Sequence, residues 1–146
     1  MKRLILLAMF LVNGIALKAQ HVSDMIKSPL WDIIGTLKIN TVNQSKQVAV
    51  FSPQLKSLDN KNVTLQGYII PTEEGIKHKR FLLSTLPINQ CYYCGKNGVP
   101  IMIEVEMDEA IEFTYKPVMI AGILKLNYAN AAENIPISLE KASRLN

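Results

Sequence analysis

Apolar and polar residues alternate with a period of two over much of the chain, the spacing that sends successive side chains to opposite faces of a strand. In NVTLQGYIIP, Val63, Leu65, Gly67 and Ile69 fall on one face and Thr64, Gln66 and Tyr68 on the other. RFLLSTL puts Phe81 and Leu83 on a common face. IMIEVEMDE is the cleanest stretch, with Ile101, Ile103, Val105 and Met107 facing in and Met102, Glu104, Glu106 and Asp108 facing out. KPVMIAGILKLN and IPISLEKASRL supply two further strands, and IGTLKINTV, after Trp31, an earlier one. Trp31 is expected in the core. The polar run TEEGIKHK reads as a hairpin tip.

One segment departs from this period. FSPQLKSLDN predicts a short helix, with Ser52 at the N-cap and Pro53 at the first helical position, where its missing N–H leaves no bond unmade. Leu55 and Leu58 then share a face, and DNKN turns the chain into the next strand. Gly67 and Gly122 each sit in mid-strand and mark a bend or bulge of the kind a small barrel needs. Several short strands with one short helix make a mainly β protein. The expected fold is a small OB-fold-like β-barrel, with a β-sandwich as the alternative. An α/β fold is disfavoured, since no helix of roughly 10 to 15 residues separates the strands.

The opening MKRLILLAMFLVNGIALKAQ combines Lys2 and Arg3, an apolar run from Leu4 to Leu17, and Ala19. This is the pattern of a secretory signal peptide cleaved after Ala19. The run is interrupted by Asn13 and Lys18, and is short of the ~20 apolar residues of a membrane span. The expected organisation is a signal at 1–19, a flexible leader at 20–28 and one domain at 29–146, exported to the periplasm or the exterior, with no transmembrane anchor in the mature chain. Charge changes with that reading. The full chain carries 16 Lys and Arg against 12 Asp and Glu, but Lys2, Arg3 and Lys18 lie in the signal, which leaves 13 against 12. A nearly neutral domain lacks the basic field that draws phosphates, so nucleic acid is not an expected partner.

The candidate chemistry lies in INQCYYCGKNGVP, which holds both cysteines of the chain, Cys91 and Cys94. A thioredoxin-like exchanger needs its first cysteine at a helix N-terminus. Here two glycines and a proline follow Cys94 within six residues, so that reading has the poorest support. Covalent haem attachment needs histidine after the second cysteine, and position 95 is glycine. Two thiolates in a tight glycine turn form half of a zinc knuckle, yet only His21 and His78 are available to complete it. His21 falls in the leader, and the intervening strand puts His78 roughly 20 Å from Cys91 along the chain. A two-thiolate site for a soft ion such as Cu(I), or a zinc site shared with a second molecule, stays open. So does a plain local disulfide, the usual state of a close cysteine pair in an oxidising compartment.

Other features carry less. The outward acids Glu104, Glu106, Asp108, Glu109 and Glu112 read as a solvated strand face. Tyr92 and Tyr93 either line a pocket or pack on the barrel. The methionines form no copper-holding cluster. The chain has no Ser/His/Asp set, phosphate loop or paired-histidine motif, so enzymatic activity is not expected and no catalytic residue is assigned.

The order WDII (31–34), LDNKNVTLQGYIIP (58–71), FLLS (81–84), CYYCG (91–95) and GILKLN (122–127) resembles an uncharacterised family of exported bacterial OB-like domain proteins, in its Bacteroidetes-type form with a Cys-Phe-Phe-Cys-Gly motif. Two turn positions depart from that pattern: Asn60 stands where the family has glycine, and GKNGVP replaces a Gly-Gly-Ala-Gly-Pro run. The resemblance implies an OB-like domain, a metal-related role outside the cytoplasm, and Cys91 and Cys94 as the site residues, with no enzymatic activity. The expected function is an exported binding module, an accessory protein handling metal or thiols through the Cys91/Cys94 loop. The alternatives are an interaction domain whose Cys91–Cys94 disulfide staples a loop and, less favoured, a thiol–disulfide oxidoreductase. Zinc or copper is the expected ion, and the protein partner is unknown.

Overall fold

The computed structural model describes residues 25–88 and 101–145. The expected signal at 1–19, residues 20–24 of the expected leader (His21 included) and the segment 89–100 with Cys91, Tyr92, Tyr93 and Cys94 lie outside them. In chain order the elements are α1 (Pro29–Ile34), β1 (Lys38–Asn43), β2 (Lys46–Val50), α2 (Pro53–Ser57), β3 (Asn62–Pro71), β4 (Lys77–Ser84), β5 (Met102–Glu112), β6 (Val118–Leu126) and β7 (Ile137–Leu145).

The five long strands close into a barrel in the order β3-β4-β5-β7-β6, with β6 returning to β3. Every pairing is antiparallel except that of β5 with β7. This is a small OB-like barrel, and its closure rules out the β-sandwich. Alternation held where it was cleanest. Ile103, Val105 and Met107 are buried between half-exposed Met102, Glu104 and Glu106, and Phe81 and Leu83 are fully buried in β4. Truncating Phe81 to alanine at such a site costs about 3–5 kcal/mol.

Both mid-strand glycines mark close approaches. A Cβ at Gly67 would lie 2.5 Å from Leu83 Cγ, and here β3 changes neighbour, pairing with β6 up to Gly67 and with β4 from Tyr68. A Cβ at Gly122 would lie 2.9 Å from Glu140 O. Opposite it β7 carries a bulge, since Ala121 faces Ser143 while Ile123 faces Glu140. Lys141 takes up the extra residue with φ 48°, a left-handed conformation that twists the strand where it must serve both β6 and β5.

Two short helices are present among the described residues, where one was expected. α2 forms as the sequence indicates: Ser52 Oγ accepts the Leu55 N–H at 3.2 Å, and Leu55 is buried. α1 repeats the device, with Ser28 Oγ accepting the Trp31 N–H at 3.2 Å ahead of Pro29. It buries Trp31 and Ile34, and the Trp31 indole N–H donates to Gln66 O of β3 at 2.8 Å. The expected strand after Trp31 therefore starts only at Lys38.

β1 and β2 form a separate two-stranded sheet. Asn130, in the β6–β7 connection, clamps it by accepting the Gln47 N–H at 2.8 Å and donating to Ser45 O at 2.8 Å. Ala131 N–H adds a bond to Gln47 O at 2.9 Å. Ala49, Phe51, Leu55, Trp31 and Ile34 belong to the same core cluster as the barrel residues, so these elements fold as one body. No helix among the described residues is long and apolar enough to cross a membrane.

Candidate functional site

The cysteine pair belongs to the connection between β4 and β5, and both ends of that connection are described. Ser84 faces Met102 in the last pair of the β4–β5 ladder. Beyond it, Thr85 N–H donates to Ile101 O at 3.2 Å, which zips the base of the connection by one more step. Ser84 Oγ accepts the Leu86 N–H at 3.1 Å and turns the chain away from β4. On the other side, Ile26 N–H donates to Thr85 O at 3.0 Å, so chain preceding α1 runs along the same base. The Ile101 side chain lies over Gly35 at the end of α1, close enough that an added Cβ would sit 2.8 Å from its Cδ1.

These contacts make a rigid rim. Ser84, Thr85 and Leu86 are all buried. Among the described residues Thr85 Oγ1 has no hydrogen-bond partner, and a hydroxyl left so in a buried position costs about 1–3 kcal/mol. β5 runs from Met102, so no helix continues from the cysteine segment through Glu104. On the other flank, Ile88, the last described residue before the cysteine segment, has a helical conformation.

His78 is not on a hairpin tip. It lies in β4 opposite Ile111, is buried, and its Nε2 has no partner among the described residues. The tip is shorter than expected because Lys77 and His78 already pair with Glu112 and Ile111 of β5. Since Ser84, at the other end of β4, carries the cysteine connection, strand rise separates it from His78 by roughly 20 Å. The two cysteines and His21 lie outside the described residues. Among the described residues no group of three or more His, Cys, Asp or Glu is placed to hold a metal ion.

The acids of β5 point outward as expected. Glu106 receives the Arg80 guanidinium at 3.2 Å on the exposed face. That hydrogen bond, and then the charge of Glu106, raise the Arg80 pKa above its ordinary value, with smaller contributions from Glu104 and Glu73. Both partners are largely solvated, so the pair adds little to stability. No family model matches the chain, and no curated protein or solved structure matches it.

Proposed function

We propose that the protein is an exported, non-enzymatic binding module of the OB-like family it resembles, and that it acts through the Cys91/Cys94 loop as a site for a soft transition-metal ion, Cu(I) or zinc. The observation that carries this reading is the strand-to-strand setting of the cysteine pair. The loop springs from a rim fixed by Thr85–Ile101 and Ile26–Thr85 hydrogen bonds, and a fixed rim lowers the ordering needed for two thiolates to converge on one ion. β5 begins at Met102, only eight residues after Cys94, and a strand start so near supports a site other than the long helix on which a redox exchanger depends. The outer faces of β4, β5 and β7, where OB barrels commonly take oligonucleotides, present Glu104, Glu106 and Glu140 around Arg80. With Lys79 and Lys141 beside them, the charges are mixed, and a face without a net basic field supports a partner other than nucleic acid.

The test is equilibrium dialysis of reduced protein against Cu(I) or zinc, comparing the native chain with a Cys91→Ser/Cys94→Ser variant. The account expects one ion per native chain, or per pair of chains, and none in the variant. Equal, near-zero loading of both forms would leave the disulfide staple as the remaining reading.

A further inference from the structure

The β1–β2 hairpin carries a second feature, independent of the cysteine loop. Its two long edges differ. The β2 edge is closed by the bonds of Asn130 and Ala131 to Ser45 and Gln47. Among the described residues β1 pairs with β2 alone, and all six residues of β1 are exposed. Its outer edge is open.

The clamp fixes which backbone groups that edge presents. Gln47 gives its N–H to Asn130 and its C=O to Ala131, both away from β1. Thr41, opposite Gln47, is thus in a pair without mutual hydrogen bonds, and turns its own N–H and C=O to the open side. Ile39, two residues back and opposite Ala49, does the same. Such an edge is ordinarily blunted by charge, proline or a bulge. Here Lys38 stands at the start of β1 and a bulge lies between Thr41 and Asn43, next to the turn. The run between them has neither, and Ile39, Val42, Val48 and Val50 are exposed on this small sheet.

We propose that the β1 edge binds an extended segment of a partner protein, aliphatic in the middle and acidic at its ends, which adds as a third strand through Ile39 and Thr41. A lone two-stranded sheet is marginal in water, and a third strand relieves that. Charge selects the partner. From Ile33 to Leu58 the chain holds Lys38, Lys46 and Lys56 and no acid. Glu133 receives the Asn130 side-chain N–H at 3.1 Å, on the clamped side of β2. Asp59 is turned to the Leu126 N–H, and Asp32 belongs to α1. Pairing with a second copy would set Lys38 and Lys46 of one hairpin against the same lysines of the other, with no acid on either hairpin. An acidic strand meets no such repulsion.

The test is NMR titration of 15N-labelled protein with the capped hexapeptide Glu-Val-Thr-Thr-Ile-Glu and with its reversed sequence, since either chain direction pairs with an open edge. One of the two is expected to shift the amides of residues 38–43 and to slow hydrogen exchange at Ile39 and Thr41. Thr41→Pro deletes an outward N–H while leaving the bonds to β2 in place, and should weaken binding roughly tenfold. A Lys38→Gln/Lys46→Gln variant should weaken it roughly three- to tenfold, as two exposed charge pairs warrant, and so should salt raised to ~0.3 M. Lys79→Gln, the same charge change on the barrel, should leave it unchanged. The proposal is overturned if neither peptide shifts these amides at ~1 mM, a weak-binding limit. It is equally overturned if a lysine-for-glutamate peptide binds as well, if the Thr41 or lysine-pair variants bind like the native chain, or if the amides respond only to protein concentration, the mark of a second copy on the edge.

Discussion

Asn60 shows how one residue holds the entrance to β3. Its φ is 62°, in the left-handed region that glycine enters freely and asparagine tolerates better than other residues. The turn is fastened by Asn60 N–H to Leu124 O at 2.8 Å and by Leu126 N–H to Asp59 Oδ1 at 3.0 Å, and Lys125 Nζ donates to Asn60 Oδ1. Asn60→Gly is therefore expected to change stability by a few tenths of a kcal/mol at most, whereas Asn60→Val should lose about 1–2 kcal/mol, read as midpoints in urea unfolding. Equal midpoints for the two variants would mean that the turn does not depend on this backbone conformation. The position was legible as a turn because DNKN is a run of turn-favouring residues. His78 was not legible: two lysines beside it, Lys77 and Lys79, make the local sequence look solvated, and only the β4–β5 register turns its side chain inward.

At the scale of elements, the β1–β2 sheet owes its position to a clamp rather than to its own faces. All of β1 is exposed and β2 buries only Ala49, and a lone two-stranded sheet is marginal in water. Asn130 and Ala131 supply the missing partners. Asn130→Ala should speed amide hydrogen exchange in residues 38–50 by roughly tenfold, as loss of about 1–2 kcal/mol in local opening implies, while exchange in β5 stays unchanged. Uniform acceleration across both sheets would show instead that the hairpin and barrel open together. Alternation located the barrel strands because each has one face on the core and one in water. It located β1 only coarsely, because both of its faces are wet. α1 was missed although Ser28-Pro29 is the same signal as Ser52-Pro53; the strand expected after Trp31 competed with it, and the tertiary burial of Trp31 decides for helix.

For the molecule as a whole, the closed barrel and the place of the cysteine segment between two strands could be argued from residue order alone, because bends at Gly67 and Gly122 and the strand after residue 101 are local properties. The parallel pairing of β5 with β7 could not, since the two strands are distant in sequence and part company after Met107 and Ala142. The same holds for the clamp on β2.

The central claim is that this rim presents two thiolates to one soft ion. The most direct measurement is the Cys91–Cys94 Sγ separation in crystals of protein purified without reductant or chelator. Thiolates sharing one tetrahedral ion are expected to lie ~3.5–4 Å apart, with metal density between them. A separation of ~2.05 Å, the length of a disulfide, would contradict the metal site.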